Sequence, residues 1–346
     1  MSTTGERELI LVVGVGRSGT SLLTGILGQL GVHIPQPEVK ADDTNPRGFG
    51  EPRWVVDFHT RLLREQRITV NDSRPQAWVS AAAASADETA YAELSGWLGG
   101  ELAQAGAVVV KDPRTVWLLP LWMRCAADLG VTPSFVTMLR HPTETLTSAR
   151  KSYGTWQSEA SRAAAWVNVA LETEHLTRDA RRAFVRYEDL LADWEREVRR
   201  VGERLELPLL RDVTRAAHPA ADAFVDPTLH RNRVTWDDVK VPDALRAVAE
   251  DAWQRLQPLA GGDDGDSAAA RAALDETRAG FQRLHAEAEA IAQSSITAAK
   301  ARPAGGGGKP ARLVPPPSLR VRVARRVPAR YRRMMRRAVQ SLHRSQ

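Results

Sequence analysis

ELILVVGVGRSGTSLLTGILGQLG, residues 8–31, changes its periodicity halfway along. Residues 8–16 form a short apolar run of the kind that makes a fully buried strand. From Ser18 onward Leu22, Leu23, Ile26, Leu27 and Leu30 recur at helical spacing. Gly31 closes that helix, because the residue just past a helix end favours the left-handed region that glycine enters freely. Between the two periods lies the turn Gly14-Val15-Gly16-Arg17-Ser18-Gly19-Thr20-Ser21. A glycine-rich turn at a strand-to-helix junction aims backbone N–H groups and the positive helix end at its contents, so a phosphate is the expected occupant.

Three further apolar runs lie outward from this unit: AVVVKDP (107–113), PSFVTMLRHP (133–142) and RRAFVRYEDL (181–190). Each ends in charge, as buried parallel strands with exposed functional ends do. Helical patterns separate them, in WVVDFHTRLLREQ (54–66), 143–151 and 158–182. Strands alternating with helices imply a three-layer α/β fold, a central parallel sheet flanked by helices. A C-terminal helix over 266–299 spaces Leu274, Phe281, Leu284, Ala288 and Ile291 as either a dimer seam or, the favoured reading, a face packed on its own domain. ARPAGGGGKPARLVPPPS (301–318) is a linker composition. The expected organisation is an α/β domain (1–260), a helical extension (261–300), a Gly/Pro-rich linker (301–319) and a basic amphipathic tail (320–346).

Composition removes several classes. With 43% hydrophobic residues and ten tryptophans among 346 residues, the chain can build a core. No apolar run approaches the roughly 18 residues of a membrane span, and the first residues lack a signal peptide's basic region, so a cytoplasmic protein is expected. The single cysteine, Cys125, excludes an intrachain disulfide and a thiolate metal cluster. The eight histidines lack zinc-ligand spacing, and no metal is expected. The net charge of +6 misleads: residues 300–346 carry 12 arginines, two lysines and no acid, which leaves −8 on the rest.

The glycine turn fits several phosphate loops. Gly14, Gly16 and Gly19 satisfy G-x-G-x-x-G, but a proline-rich loop follows where a dinucleotide fold needs a second strand ending in an acid. Gly14 to Ser21 also match G-x-x-x-x-G-K-[ST], except that Thr20 stands in place of the lysine, so a magnesium-dependent P-loop kinase would lack its main cation. A tight turn that uses glycine only for packing is a further reading.

Arg17-Ser18-Gly19-Thr20-Ser21 resembles the loop of the sulfotransferases that use 3′-phosphoadenosine 5′-phosphosulfate (PAPS), a P-loop-like family, in its bacterial type. LRHPTETLTSARKSYG (139–154) strengthens the resemblance. The family binds a 3′-phosphate with an arginine at a strand end and a serine eight residues later, and here these are Arg140 and Ser148. A guanidinium fork and a helix-borne hydroxyl suit a phosphate dianion, and an ordinary kinase substrate has no 3′-phosphate to need them. VRYEDLL (185–191) resembles the family's Tyr-Glu-Asp-Leu segment. The similarity covers roughly residues 8 to 255.

The resemblance implies transfer of a sulfuryl group from PAPS to a hydroxyl of a carbohydrate, glycolipid or other small metabolite. It implies that Arg17 neutralises the 5′-phosphate and the leaving oxygen, while Ser18, Gly19, Thr20 and Ser21 hold phosphate oxygens and Tyr187 lies near the adenine. Glu188 and Asp189 are expected to cap and orient the next helix. In LHRNR (229–233), Arg231 and Arg233 stand where family members cover the nucleotide with a basic loop; the usual glycine pattern is missing, and a solvated loop fits equally. Lys111 matches the family's active-site lysine in position and is assigned electrostatic stabilisation, with which no metal is required. Some branches use a histidine shortly after that lysine as base, but Asp112-Pro113-Arg114 stands there. Others use a glutamate in the loop after the first helix, where NPRGFGEP (45–52) supplies Glu51. Glu51 is therefore the expected base, with Asp112 in reserve and His59 third. A kinase, and a nucleotide-binding module without catalysis, are the rival readings.

RVPARYRRMMRRAVQSLHRSQ (326–346) places Tyr331, Met334, Met335, Ala338, Val339 and Leu342 on one helical face beside arginines. At roughly 1 kcal/mol per arginine near an anionic surface, it is expected to hold the protein peripherally at a membrane. Nucleic acid is disfavoured by the scarcity of stacking aromatics and the acidic body. A solvated tail is the alternative.

Overall fold

The computed structural model describes residues 7–301 except 43, 46, 155, 156 and 227–233. Arg231, Arg233, the linker and the tail lie outside the described residues, as do the side chains at 153, 263, 264 and 298–301.

Four strands form one parallel sheet: β1 (Glu8–Val13), β2 (Ala107–Lys111), β3 (Pro133–Leu139) and β4 (Arg181–Arg186), in the order β2-β1-β3-β4. Helix α1 (Thr20–Gln29) follows β1, and α2 (Arg53–Glu65), α3 (Ala77–Ser85) and α4 (Glu88–Gln104) lead to β2. Helix α5 (Leu119–Asp128) leads to β3, then α6 (Pro142–Tyr153) and α7 (Glu159–Leu176) to β4. After β4 come α8 (Tyr187–Ala192), α9 (Trp194–Arg204), α10 (Pro208–Arg211), α11 (Pro219–Phe224), α12 (Asp243–Leu256) and α13 (Ala268–Ala301).

The expected three layers follow from the period of two in β1. Leu9, Leu11 and Val13 face a core shared with α2 to α5, while Ile10 and Val12 face one shared with α1, α8 and α9. A third core joins Leu139 and Phe184 to α6, α7, α12 and α13. Leu274 and Phe281 of α13 are buried there with Leu284 packed against them, whereas Ile291 is 85% exposed. The first half of the long helix thus packs on its own domain, the favoured of the two readings. Arg182, buried on β4, binds Glu174 of α7 and Asp266 just before α13, which ties sheet and extension together.

The chain leaves β1 for β2 on one side and returns across it to β3 on the other. The order therefore reverses between β1 and β3, and in an open α/β sheet the crevice at the carboxyl ends of such strands is where ligands bind.

Candidate active site

The turn after β1 is shaped by two close approaches. A Cβ on Gly14, at φ 129°, would lie 2.7 Å from the Met138 carbonyl oxygen of the neighbouring strand. A Cβ on Gly19, at φ 98°, would lie 2.3 Å from Cδ2 of Tyr187. Gly19 therefore admits the Tyr187 ring against the loop. Arg17 is held at φ 74° although it carries a side chain, a strain of order 1–3 kcal/mol that persists where surrounding contacts enforce it.

Those contacts come from β3 and α6. Arg140, just past β3, lies over the Tyr187 ring with its Cζ 4.2 Å from the centroid. Its Nη1 donates to the Arg17 carbonyl at 3.3 Å and its Nε to Glu144 Oε2 at 2.8 Å; neither contact uses Nη2. Ser148 stands on α6 as the spacing from Arg140 required, but its hydroxyl accepts from Arg17 Nε at 3.1 Å. The loop arginine and the strand-end arginine are thus locked to one another, and Ser148 is in direct contact with the former.

A cleft of about 480 Å³ opens beside this cluster, lined by Arg17, Gly19, Thr20, Ser21, Arg140, Ser148 and Tyr187 together with Lys111 and Glu51. Sequence reasoning missed Arg47, Thr147, Lys151 and Glu144 on its wall, the last bound to Arg140. Lys151 had a signal, since it stands three residues after Ser148 and so shares its helix face. Arg47 had none: it is held by the Phe224 carbonyl and by Asp226, far along the chain. Two buried hydroxyls, Ser18 Oγ and Thr147 Oγ1, have no hydrogen-bond partner among the described residues. The orphaned Thr147 hydroxyl on the wall, a glycine cradle and several cations are a donor set that fits a phosphorylated nucleotide, whereas Ser18 is buried and does not line the cleft.

At the end of β2, Lys111 is 3% exposed. Its Nζ donates to Glu51 Oε1 at 2.5 Å, Ser21 Oγ at 3.1 Å and the Phe49 carbonyl at 3.2 Å. Burial raises the Glu51 pKa above the ordinary carboxylate value, with the Lys111 charge pulling it partly back. Glu51 Oε2 is outside the contact with lysine.

The other two candidate bases are not in the cleft. Asp112 is fully buried, with Oδ2 2.7 Å from His59 Nδ1 and Oδ1 accepting from Arg114 Nη1 at 2.7 Å. Trp122 Nε1 donates to His59 Nε2 at 3.0 Å, and indole only donates, so the His59 proton is on Nδ1 and points at Asp112. In this closed Trp122–His59–Asp112–Arg114 chain only Arg114 reaches the wall of a cavity; Trp122, His59 and Asp112 lie beneath the site and line neither, which corrects the reserve role expected of Asp112. Glu188 and Asp189 also differ from expectation. They stand in the first turn of α8 without capping it, and Asp189 binds Arg186 at 2.6 Å.

A second cavity, of about 270 Å³, shares Gly16, Arg17, Phe49, Glu51 and Pro113 with the first. The two meet at Glu51. Among the described residues no group of three His, Cys, Asp or Glu side chains is arranged to hold a metal ion, and no helix is long and apolar enough to cross a membrane.

Comparison with known proteins bears on this geometry. The sequence model of the sulfotransferase family matches residues 10–212, which runs from within β1 through β4 and includes both cavities except Asp226 and Val234. No curated protein matches the chain. Among solved structures, the chain is similar to the sulfotransferase domain of a Synechococcus olefin synthase, at 17% identity and a TM-score of 0.43, over 74% of this chain and 97% of that one. It is also similar to the sulfotransferase STF1 of Mycobacterium tuberculosis, at 15% identity and a TM-score of 0.37, over 73% and 78% of the two chains.

Proposed function

Because the chain belongs to the sulfotransferase family and is a transferase of sulfuryl groups, we propose that its donor is PAPS and that Glu51 is the base acting on an acceptor hydroxyl. The observation that carries this reading is the junction of the two cavities at Glu51, with Arg17 on both walls and Lys111 bound to the carboxylate. One cavity suits the donor and the other the acceptor, so the base stands between them.

The larger cleft suits PAPS by its charge. Arg140 and Ser148, with Lys151 one turn further, offer a guanidinium, a hydroxyl and an ammonium to the 3′-phosphate. Gly19, Thr20 and Ser21 open α1, whose first-turn N–H groups lack intrahelical partners and serve the 5′-phosphate, while Ser18 just before them gives its N–H to the Val15 carbonyl and shapes the turn. Tyr187 gives the nucleotide a ring beside Arg140. Arg231 and Arg233 are assigned to the cover over the nucleotide from their sequence position alone.

When bound, PAPS supplies a sulfur–oxygen bond to its 5′-phosphate, which breaks as the acceptor oxygen bonds to sulfur. Glu51 takes the acceptor proton on Oε2, the oxygen that Lys111 does not hold. Burial strengthens it as a base, and this offsets the acidifying contact with the ammonium. Lys111 and Arg17 face the negative charge left on the phosphate oxygen, and both are oriented beforehand by fixed contacts. Asp112 positions Arg114 and His59 and does not touch the reacting atoms.

Transfer of labelled sulfate from PAPS to a panel of hydroxyl compounds, in EDTA, tests this reading. It expects turnover that Glu51→Gln and Lys111→Met each reduce by at least about 100-fold. Full activity in Glu51→Gln would remove Glu51 as the base, and transfer from ATP with magnesium instead would replace the donor.

A further inference from the structure

The smaller cavity contains a cation that sulfuryl transfer does not use. Its walls are largely apolar, with Val15, Val70, Leu146, Ala165 and Trp166 among them. Arg162 projects into this lining from the first turn of α7 and is only 6% exposed. Its Nη2 donates to the Gly154 carbonyl at 2.6 Å, which closes the end of α6. Its Nη1 is buried and has no hydrogen-bond partner among the described residues.

A guanidinium removed from water without a counter-ion is costly unless something else supplies the charge. Glu159, on the same turn, favours the Arg162 charge at a distance but makes no hydrogen bond to it, and burial outweighs that help: its carboxylate accepts from Arg150 Nη1 at 2.7 Å and from the Lys240 N–H at 2.6 Å. Arg114, elsewhere on the wall, already has Asp112. Beside Arg17, which the donor loop holds, the cavity therefore offers in Arg162 a guanidinium with no carboxylate bonded to it, and Glu51 belongs to the same wall.

Building on the sulfotransferase reading above, we propose that the acceptor is a hydroxylated carboxylic acid. Its hydroxyl lies at Glu51, its hydrocarbon part along the apolar wall and its carboxylate on Nη1 of Arg162. A single guanidinium edge matches a monoanionic carboxylate, whereas a phosphate dianion gathers more than one cation, as the larger cleft provides. A neutral sugar would set hydroxyls against valine, leucine and tryptophan and leave Arg162 uncompensated. Arg162 is thus a specificity-determining residue that narrows the acceptor class.

The test uses ω-hydroxydecanoate, hydroxyphenylpropanoate and the methyl ester of each. Each is titrated calorimetrically into full-length protein saturated with adenosine 3′,5′-bisphosphate (PAP), and sulfation from PAPS is measured in parallel. Acids are expected to bind, and where turned over to react, at least about 10-fold better than their esters. That ratio should fall to near one in Arg162→Met and recover in part in Arg162→Lys. Equal behaviour of acid and ester in the wild type, binding of neither, or an unchanged ratio in Arg162→Met overturns the proposal. PAP affinity separates the two levels: its absence in the wild type refutes the donor reading, while its presence without acid preference refutes only the role of Arg162. Should Arg162→Met lose its unfolding transition, the wild-type ratio and Arg162→Lys decide.

Discussion

Substituting Gly19 by alanine strikes the contact on which the donor loop is built. At φ 98° an added Cβ puts alanine in a strained region, worth about 1–2 kcal/mol. The same Cβ would lie 2.3 Å from Tyr187 Cδ2 and 3.0 Å from Cε2, so a ring that is 7% exposed must move. Overpacking of this kind costs about 1–3 kcal/mol, which brings the total to roughly 2–5 kcal/mol. Gly16 in the same loop is the control. Its φ is not positive, and the nearest atom to an added Cβ is Asn71 Oδ1 at 3.9 Å, so Gly16→Ala is expected to stay within about 0.5 kcal/mol. Denaturant unfolding of ligand-free protein measures both. A cycle with Tyr187→Ala isolates the collision: with the ring gone, Gly19→Ala should cost about 1–3 kcal/mol less, the backbone part remaining. If Gly19→Ala is as stable as Gly16→Ala, or the two single changes add within about 0.5 kcal/mol, the packing of Tyr187 on the loop is not what requires glycine.

Three more outcomes follow from the geometry at Glu51 and Lys111, and a fourth from the sequence of the tail. Glu51 must be ionised to act as base and its pKa is raised, so kcat/KM should fall on acidification through a value above the roughly 4.3 of free glutamate, a limb absent from Glu51→Gln. The same shift favours the protonated folded state. Its contribution to stability is complete below the unfolded pKa and lost as pH rises through the folded one, which unfolding of wild type across that window will register. Lys111→Met strands a buried carboxylate and should lower stability near neutral pH by about 3–5 kcal/mol, with part regained in the double change with Glu51→Gln, as read by denaturant titration. Deleting residues 303–346 should leave sulfation of a soluble acceptor intact and abolish binding to anionic liposomes; retained binding removes the tail as the membrane contact.

Local pattern and long-range contact divide what the sequence could reveal. Strand β1, its glycine turn and α1 were legible because a change of period and a glycine cluster are properties of adjacent residues. The strand ending at Lys111 and the one ending just before Arg140 were legible for the same reason. The pairing of Lys111 with Glu51 was not, since the two are 60 residues apart and meet only because the loop before α2 folds over the end of β2. Ser148 was placed correctly on its helix, but that Arg17 would take its hydroxyl depended on the left-handed backbone at Arg17. Asp112 follows Lys111 directly, so proximity in sequence suggested a role in catalysis. Its burial beside His59 and Trp122 comes from α2 and α5, which no local signal couples to β2. Arg162 gave no signal at all: within a helix it reads as a surface residue, and only the packing of α6 and α7 encloses it.

The donor assignment is tested most directly by calorimetric titration of PAP into the protein in EDTA, with ATP–magnesium, NAD and the Arg140→Ala variant alongside. Arg140 touches Tyr187, Glu144 and the Arg17 carbonyl, so its removal takes away both the phosphate fork and the brace of the loop. Metal-free binding of PAP that weakens by roughly 10-fold or more in Arg140→Ala is the expected result. Absence of PAP binding, or preference for ATP with magnesium, would contradict the account and make the chain's phosphate loop that of a different donor.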